Sequence, residues 1–295
     1  MNAASDAVFH SRAVRSTGMP IEDDPDPMVH QQLARLLFLS ELVDLKSKRV
    51  LEFGCGSGVN CDFLQQRYQP RAVVGFDISK DSVELAQEQY TGLTVRCADA
   101  CDSSLDLSIG AWDLIVSFEV LEHVPHMETF VKNIRRHLAP AAGVAFISTP
   151  NRDVFSMGHE PSPVNREHVK ELSRAELERL LQPYFSEIQI WGQRFKENAL
   201  LEAWKTDVRG KIAQCKSGTR WQTAPSQRER LRRIPLVNKA YENPVLRRTW
   251  KYLRWEVLQS IADKRAVAKR PYSFEDFEFS RDTSDALWFC ALLKS

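Results

Sequence analysis

Five short apolar runs, Val50–Phe53, Ala72–Phe76, Leu93–Cys97, Asp113–Phe118 and Val144–Ser148, recur along the first half of the chain, each followed by a longer polar or amphipathic stretch. Runs of this length read as strands, and stretches of a dozen or more residues between them suit helical crossovers between parallel neighbours. The alternation predicts a parallel, doubly wound α/β sheet. A sixth strand fits Phe185–Trp191, and a last apolar run, Ala286–Leu293, predicts a closing strand.

The intervening helices carry local signals. Leu33, Leu36, Leu37 and Val43 recur at helical spacing over Pro27–Val43. Ser79 is placed to cap a helix whose Val83, Leu85 and Ala86 face inward, and Phe130, Val131, Ile134 and Leu138 form a stripe that ends at Pro140 and Gly143. Ser173 and Glu176 have the spacing of a capping box.

Composition narrows the class. The 295 residues, 43% of them hydrophobic, suffice for one large domain with an appendage. No apolar run approaches the ~20 residues of a membrane-spanning helix, and the first twenty residues lack the apolar core of a secretory signal. A soluble, cytoplasmic protein is expected, with its six cysteines reduced and mostly buried. No cysteine spacing matches a zinc site, and no metal ligands are assigned.

The net charge of +1 is unevenly spread: Phe195–Arg281 holds 20 Lys/Arg against 10 Asp/Glu, a net +10, which leaves −9 on the remainder. The expected organisation is an N-terminal arm (1–26), a core (27–194), a basic helical insert (195–281) and a final core strand (282–295). The insert contains Trp204, Trp221, Trp250 and Trp255, and Leu246, Trp250, Leu253, Val257 and Ile261 predict a long amphipathic helix.

The chemistry is concentrated after the first strand, in Glu52-Phe53-Gly54-Cys55-Gly56-Ser57-Gly58. Alternate glycines permit positive φ and let backbone approach a nucleotide-like ligand at a strand-to-helix turn. The dinucleotide spacing fails because position 59 is valine, and no Gly-Lys-Ser/Thr follows for a phosphate loop. Asp77 ends the second strand, where a carboxylate can accept from ribose hydroxyls, and Asp99 follows the third, within reach of an adenine amine.

Val50–Gly58, Val74-Gly-Phe-Asp77 and Asp113–Val124 resemble the ordered motifs of class I S-adenosylmethionine-dependent methyltransferases. Glu119-Val-Leu-Glu-His123-Val is similar to the branch with ubiquinone-biosynthesis O-methyltransferases and bacterial glycan and natural-product tailoring enzymes, as are Ser148-Thr-Pro-Asn151 and Asn165-Arg-Glu-His168-Val. The resemblance spans about residues 30–194, with Ala286–Lys294 resembling the family's antiparallel seventh strand. It implies a seven-stranded, Rossmann-like sheet with S-adenosyl-L-methionine as cofactor. Glu52, Gly54, Cys55, Gly56 and Gly58 would then surround the methionine moiety, and Asp77 would bind ribose. Ile78 would pack on adenine, Asp99 and Ala100 would flank its edge, and Phe118 and Glu119 would line the methionine side.

A hydroxyl acceptor benefits from a base matched to neutral pH, so His123 and His168 are the candidate catalytic residues. Each also has a structural reading, as a group that fixes a loop or caps a helix. The insert occupies the position of an acceptor lid, where cations and tryptophans suit an anionic sugar or glycan; alternatively its cations face solvent and its tryptophans fill a core. Binding to RNA or to an anionic membrane surface also fits basic helices with aromatics, although the acidic remainder opposes extensive nucleic-acid contact. Protein or RNA methylation and a catalytically silent cofactor-binding scaffold are the competing functions, and the oligomeric state is open.

Overall fold

The computed structural model describes residues 27–216 and 272–294. The N-terminal arm and most of the basic insert, including Trp221, Trp250, Trp255 and the long helix expected there, lie outside them. The chain divides into two units, residues 1–209 with 272–295 and residues 210–271; of the second, only 210–216 are described.

The described part of the first unit is built on one sheet. Its strands are β1 (Arg49–Phe53), β2 (Ala72–Asp77), β3 (Thr94–Cys97), β4 (Leu114–Phe118), β5 (Val144–Pro150), β6 (Glu187–Phe195), β7 (Phe277–Ser280) and β8 (Trp288–Lys294), in the spatial order β3-β2-β1-β4-β5-β8-β6-β7. The five strands from β3 to β5 pair in parallel, whereas β8 runs antiparallel to both β5 and β6. The order reverses at β1, which pairs with β2 on one side and β4 on the other. This is the switch point outside which open α/β sheets bind ligands.

The seven helices are α1 (Pro27–Leu42), α2 (Val59–Tyr68), α3 (Lys80–Gln89), α4 (Met127–His137), α5 (Arg152–Phe155), α6 (Arg174–Leu181) and α7 (Asn198–Lys216) among the described residues. Strand alternation sends neighbouring residues to opposite faces. Leu51, Phe53, Ile115 and Ile147 pack with Phe130 and Ile134 of α4 and Leu177 of α6. Val50, Leu114, Val116 and Phe146 pack on the other face with Leu36 of α1, Leu64 of α2 and Val83 of α3. Such double coverage is why β1 and β4 read as near-continuous apolar runs. Local signals agree: Ser79 Oγ accepts from the Ser82 amide, and Ser173 with Glu176 forms a complete capping box.

The sheet has eight strands rather than seven. β7 comes from the stretch read as insert, and it pairs antiparallel with β6 at the sheet edge, with Arg194 opposite Glu278 and joined to it at 2.7 Å. A four-residue edge strand amid charged neighbours has too little apolar periodicity to stand out, and short edge strands are how sheets limit edge-to-edge pairing. Trp204, assigned to the insert, packs at the start of α7 against Phe155 and Trp288, with ring centroids 4.9 and 5.9 Å away. All six cysteines are free thiols; Cys55, Cys61 and Cys290 are buried, while Cys97 and Cys215 are exposed.

Candidate functional site

The turn after β1 is held to β2 by backbone bonds, with Gly54 N and Cys55 N both donating to Phe76 O at 2.9 Å. Gly54, Gly56 and Gly58 all have positive φ, at 73°, 51° and 81°. Their surroundings differ. A Cβ on Gly54 would lie 2.5 Å from Val120 Cγ2, so the turn packs directly on the segment after β4. A Cβ on Gly56 would meet nothing within 4 Å, which marks the open side where a ligand can approach the backbone.

Asp77 links this turn to the next strand. Its Oδ2 accepts from Gly56 N at 2.9 Å and its Oδ1 from Ser79 N at 2.8 Å, fixing the carboxylate while leaving further lone pairs for hydroxyl donors. Ile78 beside it is 69% exposed, an apolar side chain without cover at the sheet edge. Asp99 is exposed and accepts from Cys101 N at 2.8 Å, and Ala100 beside it is buried. Glu52 lies under the turn, buried, where Oε1 accepts from Asn60 Nδ2 at 2.8 Å and Oε2 from Cys61 Sγ at 2.9 Å. Burial outweighs those bonds and, with the charge of Asp77, pushes the Glu52 carboxyl up to about 7.

The carboxyl end of β4 forms the opposite wall. Phe118 is buried, and Glu119 has a φ of 56°, a left-handed conformation uncommon for a residue with a side chain. Glu119 Oε1 accepts from Ser148 Oγ at 2.9 Å and pairs with Arg35 Nη1 at 3.2 Å. Arg35, fully buried in α1, donates from Nε to Gln193 Oε1 at 2.7 Å and lies 5.6 Å from the Trp288 ring centroid. Sequence reasoning missed Arg35. The signal was present: it is the sole Lys, Arg, Asp or Glu between Pro27 and Glu41, set in a leucine-rich run.

The two candidate histidines meet just beyond. His123 closes a short 3₁₀ turn, Leu121–His123, while His168 arrives on the loop between α5 and α6, and their ring centroids are 4.8 Å apart at 81°. Val169 N and Lys170 N donate to Glu122 O at 2.8 and 3.2 Å, which fastens that loop to the turn. His123 Nδ1 lies 3.0 Å from the Glu167 carbonyl, the geometry of an Nδ1–H donor, and this leaves Nε2 as the acceptor. Burial lowers the His123 pKa below the usual imidazole value, the Glu167 carbonyl opposes that shift, and His168 reinforces it. The ring is thus neutral at pH 7.

Glu122, unassigned from sequence, is fully buried between them. Its Oε2 accepts from Thr149 Oγ1 at 3.0 Å, whereas Oε1 has no hydrogen-bond partner among the described residues and sits 4.0 Å from His123 Nε2. Burial, then the charge of Glu119, raises its pKa well above the carboxylate range. One carboxylate oxygen and one nitrogen from each of His123 and His168 all lie within 4.8 Å of one another, a mixed donor set that a divalent cation can take. Nothing in the spacing of Glu122, His123 and His168 along the chain announced that convergence.

Residues 28–184 match a family described as a methyltransferase domain. Among curated proteins, a probable S-adenosylmethionine-dependent methyltransferase of Mycolicibacterium smegmatis is 35% identical over 140 residues, 48% of this chain and 52% of that one. A ubiquinone biosynthesis O-methyltransferase of Chromobacterium violaceum is 32% identical over 123 residues, 40% of this chain and 51% of the relative. The chain thus spans about half the length of the curated relatives it matches. Among solved structures, a phosphoethanolamine N-methyltransferase 2 of Haemonchus contortus with bound S-adenosyl-L-methionine superposes with a TM-score of 0.50 at 18% identity, covering 88% of this chain and 52% of that one. The last likeness is one of fold alone.

Proposed function

From the premise that this chain belongs to the methyltransferase-domain family, we propose that it transfers the methyl group of S-adenosyl-L-methionine to a hydroxyl of a small molecule, sugar or glycan. The observation that carries the reading is the bond from Gly56 N to Asp77 Oδ2, which sets an open, glycine-walled backbone beside an oriented carboxylate at the sheet's switch point. In this reading the Gly54–Gly58 turn and Glu119 flank the methionine moiety, Asp77 receives the ribose hydroxyls, Ile78 covers adenine, and Asp99 and Ala100 bound its edge.

Methyl transfer is an in-line displacement. The acceptor oxygen bonds to the methyl carbon, the carbon–sulfur bond breaks, and its electron pair stays on sulfur to give S-adenosylhomocysteine. Holding oxygen, carbon and sulfur in line supplies roughly 7–11 kcal/mol of the barrier. The hydroxyl proton passes to Nε2 of His123, which is unprotonated in the neutral ring. A hydroxyl must lose its proton as the bond to carbon forms, a role the neutral His123 fits, and the ubiquinone biosynthesis O-methyltransferases among the relatives support an oxygen acceptor. Among the described residues, no helix is long and apolar enough to cross a membrane.

The test is methyl transfer from radiolabelled cofactor to matched panels of catechols, sugars, amines and short RNA. Label appearing in the hydroxyl compounds supports the reading. Label confined to amines or RNA overturns the acceptor class, and none in any panel beside intact cofactor binding favours the silent scaffold.

A further inference from the structure

His168 is held by a polar relay that the proposed reaction does not use directly. Its Nδ1 lies 2.6 Å from Glu171 Oε1, and both side chains are buried. The other oxygen, Glu171 Oε2, accepts from Ser156 Oγ, and Ser156 Oγ lies 2.9 Å from Ser162 Oγ. Phe155 packs on the imidazole at 5.8 Å, and His123 meets its edge. His168 and Glu171 also line a cavity of about 320 Å³, together with His159, Pro161 and Lys170.

Such an arrangement is a costly way to fill space. Taking an ionised carboxylate out of water carries a desolvation penalty of several kcal/mol, and apolar side chains of similar volume often serve packing as well or better. What a carboxylate against one ring nitrogen supplies, and an apolar neighbour cannot, is direction: it decides which nitrogen carries the proton and how the ring is turned. In a neutral ring, Nδ1–H faces Glu171 and the nitrogen left for the Glu122–His123 cleft is an unprotonated Nε2. That state suits either a proton acceptor or a ligand.

We propose that Glu171 is a positioning residue of this site, which with Ser156 fixes His168 as the Nδ1–H tautomer so that Nε2 serves the acceptor side of the cleft. The inference rests on the reading of the His123–His168 cleft as that side.

The test is long-range ¹H–¹⁵N correlation spectroscopy of the full chain labelled at histidine, with the His168 signals identified by their loss in His168→Asn. The wild-type chain is expected to show a protonated Nδ1 and an unprotonated Nε2 at His168. In Glu171→Gln, Ser156 keeps the amide oxygen and the NH₂ turns toward Nδ1, so the proton moves to Nε2 and the two nitrogen resonances exchange character. An Nε2–H tautomer in the wild type overturns the proposal even if the glutamine variant does not fold, as does an unchanged tautomer in a folded variant. With a hydroxyl acceptor, Glu171→Gln should lower kcat roughly 10–100-fold at an unchanged cofactor KM; an unchanged kcat also overturns it. The spectrum needs no cofactor, so a chain with the expected tautomer that fails to bind S-adenosylhomocysteine removes the methyltransferase reading and leaves the Glu171–His168 assignment intact.

Discussion

Nη1 of Arg35, on the first helix, lies 3.2 Å from Oε1 of Glu119, at the end of β4, and so joins a buried guanidinium to a residue held at positive φ. Removing one partner of a buried pair costs about 3–5 kcal/mol because the other charge is stranded; Glu119 keeps some solvent access, which places this pair at the lower end. Arg35→Met should therefore cost about 3 kcal/mol in urea unfolding and release Glu119. Stability within about 1 kcal/mol of wild type would show that the pair does not hold this wall.

Gly54 and Gly56 separate stability from binding. Alanine at Gly54 meets Val120 Cγ2 at 2.5 Å in a left-handed backbone, so Gly54→Ala should cost roughly 2–3 kcal/mol, and pairing it with Val120→Ala should recover part of that loss. Alanine at Gly56 has open space, so Gly56→Ala should cost only about 1 kcal/mol of backbone strain while weakening S-adenosylhomocysteine binding more than tenfold. Unfolding curves and calorimetry on the two variants check this; equal effects on both quantities would remove the assignment of the open face.

Glu52 should leave a signature in the pH dependence of stability. Its folded pKa of about 7 lies above the unfolded value of about 4.3. Its contribution is fully present below about pH 4.3 and is lost as pH rises through about 7, because the unfolded chain ionises first. Glu52→Gln removes that titration, so the difference in unfolding free energy between wild type and variant should drift across this window. A difference that stays flat from pH 4 to 7.5 contradicts the assignment of a neutral, buried Glu52.

Much of the core was legible in the chain because its signals are local. Strands β1 to β5 announce themselves as apolar runs, and the Ser79 cap and the Ser173–Glu176 box are short-range hydrogen-bond patterns that folded as their spacing implies. What escaped is what only tertiary contact creates. β7 is four residues long and exists through its pairing with β6, and Arg35, though its isolation in a leucine-rich run was visible, gains its partners Gln193, Glu119 and Trp288 only in the folded chain. The meeting of Glu122, His123 and His168 likewise depends on a loop fastened by Val169 and Lys170, a geometry no spacing rule contains.

His123→Ala should lower turnover on a hydroxyl acceptor by 10²–10⁴-fold, the range for a positioned acid–base group, with cofactor affinity unchanged. Steady-state rates at saturating cofactor, set beside the affinity for S-adenosylhomocysteine, check both halves. Normal turnover removes His123 as the base, and a parallel loss of affinity makes it a structural residue of the cleft.

The central claim, that the Gly54–Gly58 turn and Asp77 form the cofactor cradle, is tested most directly by isothermal titration of S-adenosylhomocysteine into the full chain and into Asp77→Ala. Asp77 accepts from two backbone amides and is assigned the ribose hydroxyls, and hydrogen bonds to a charged group are worth about 1.5–3 kcal/mol each. Binding in the micromolar range is predicted for the wild type, weakened at least roughly tenfold in the variant. No binding by the wild type at tens of micromolar, or equal affinity in both proteins, would contradict it.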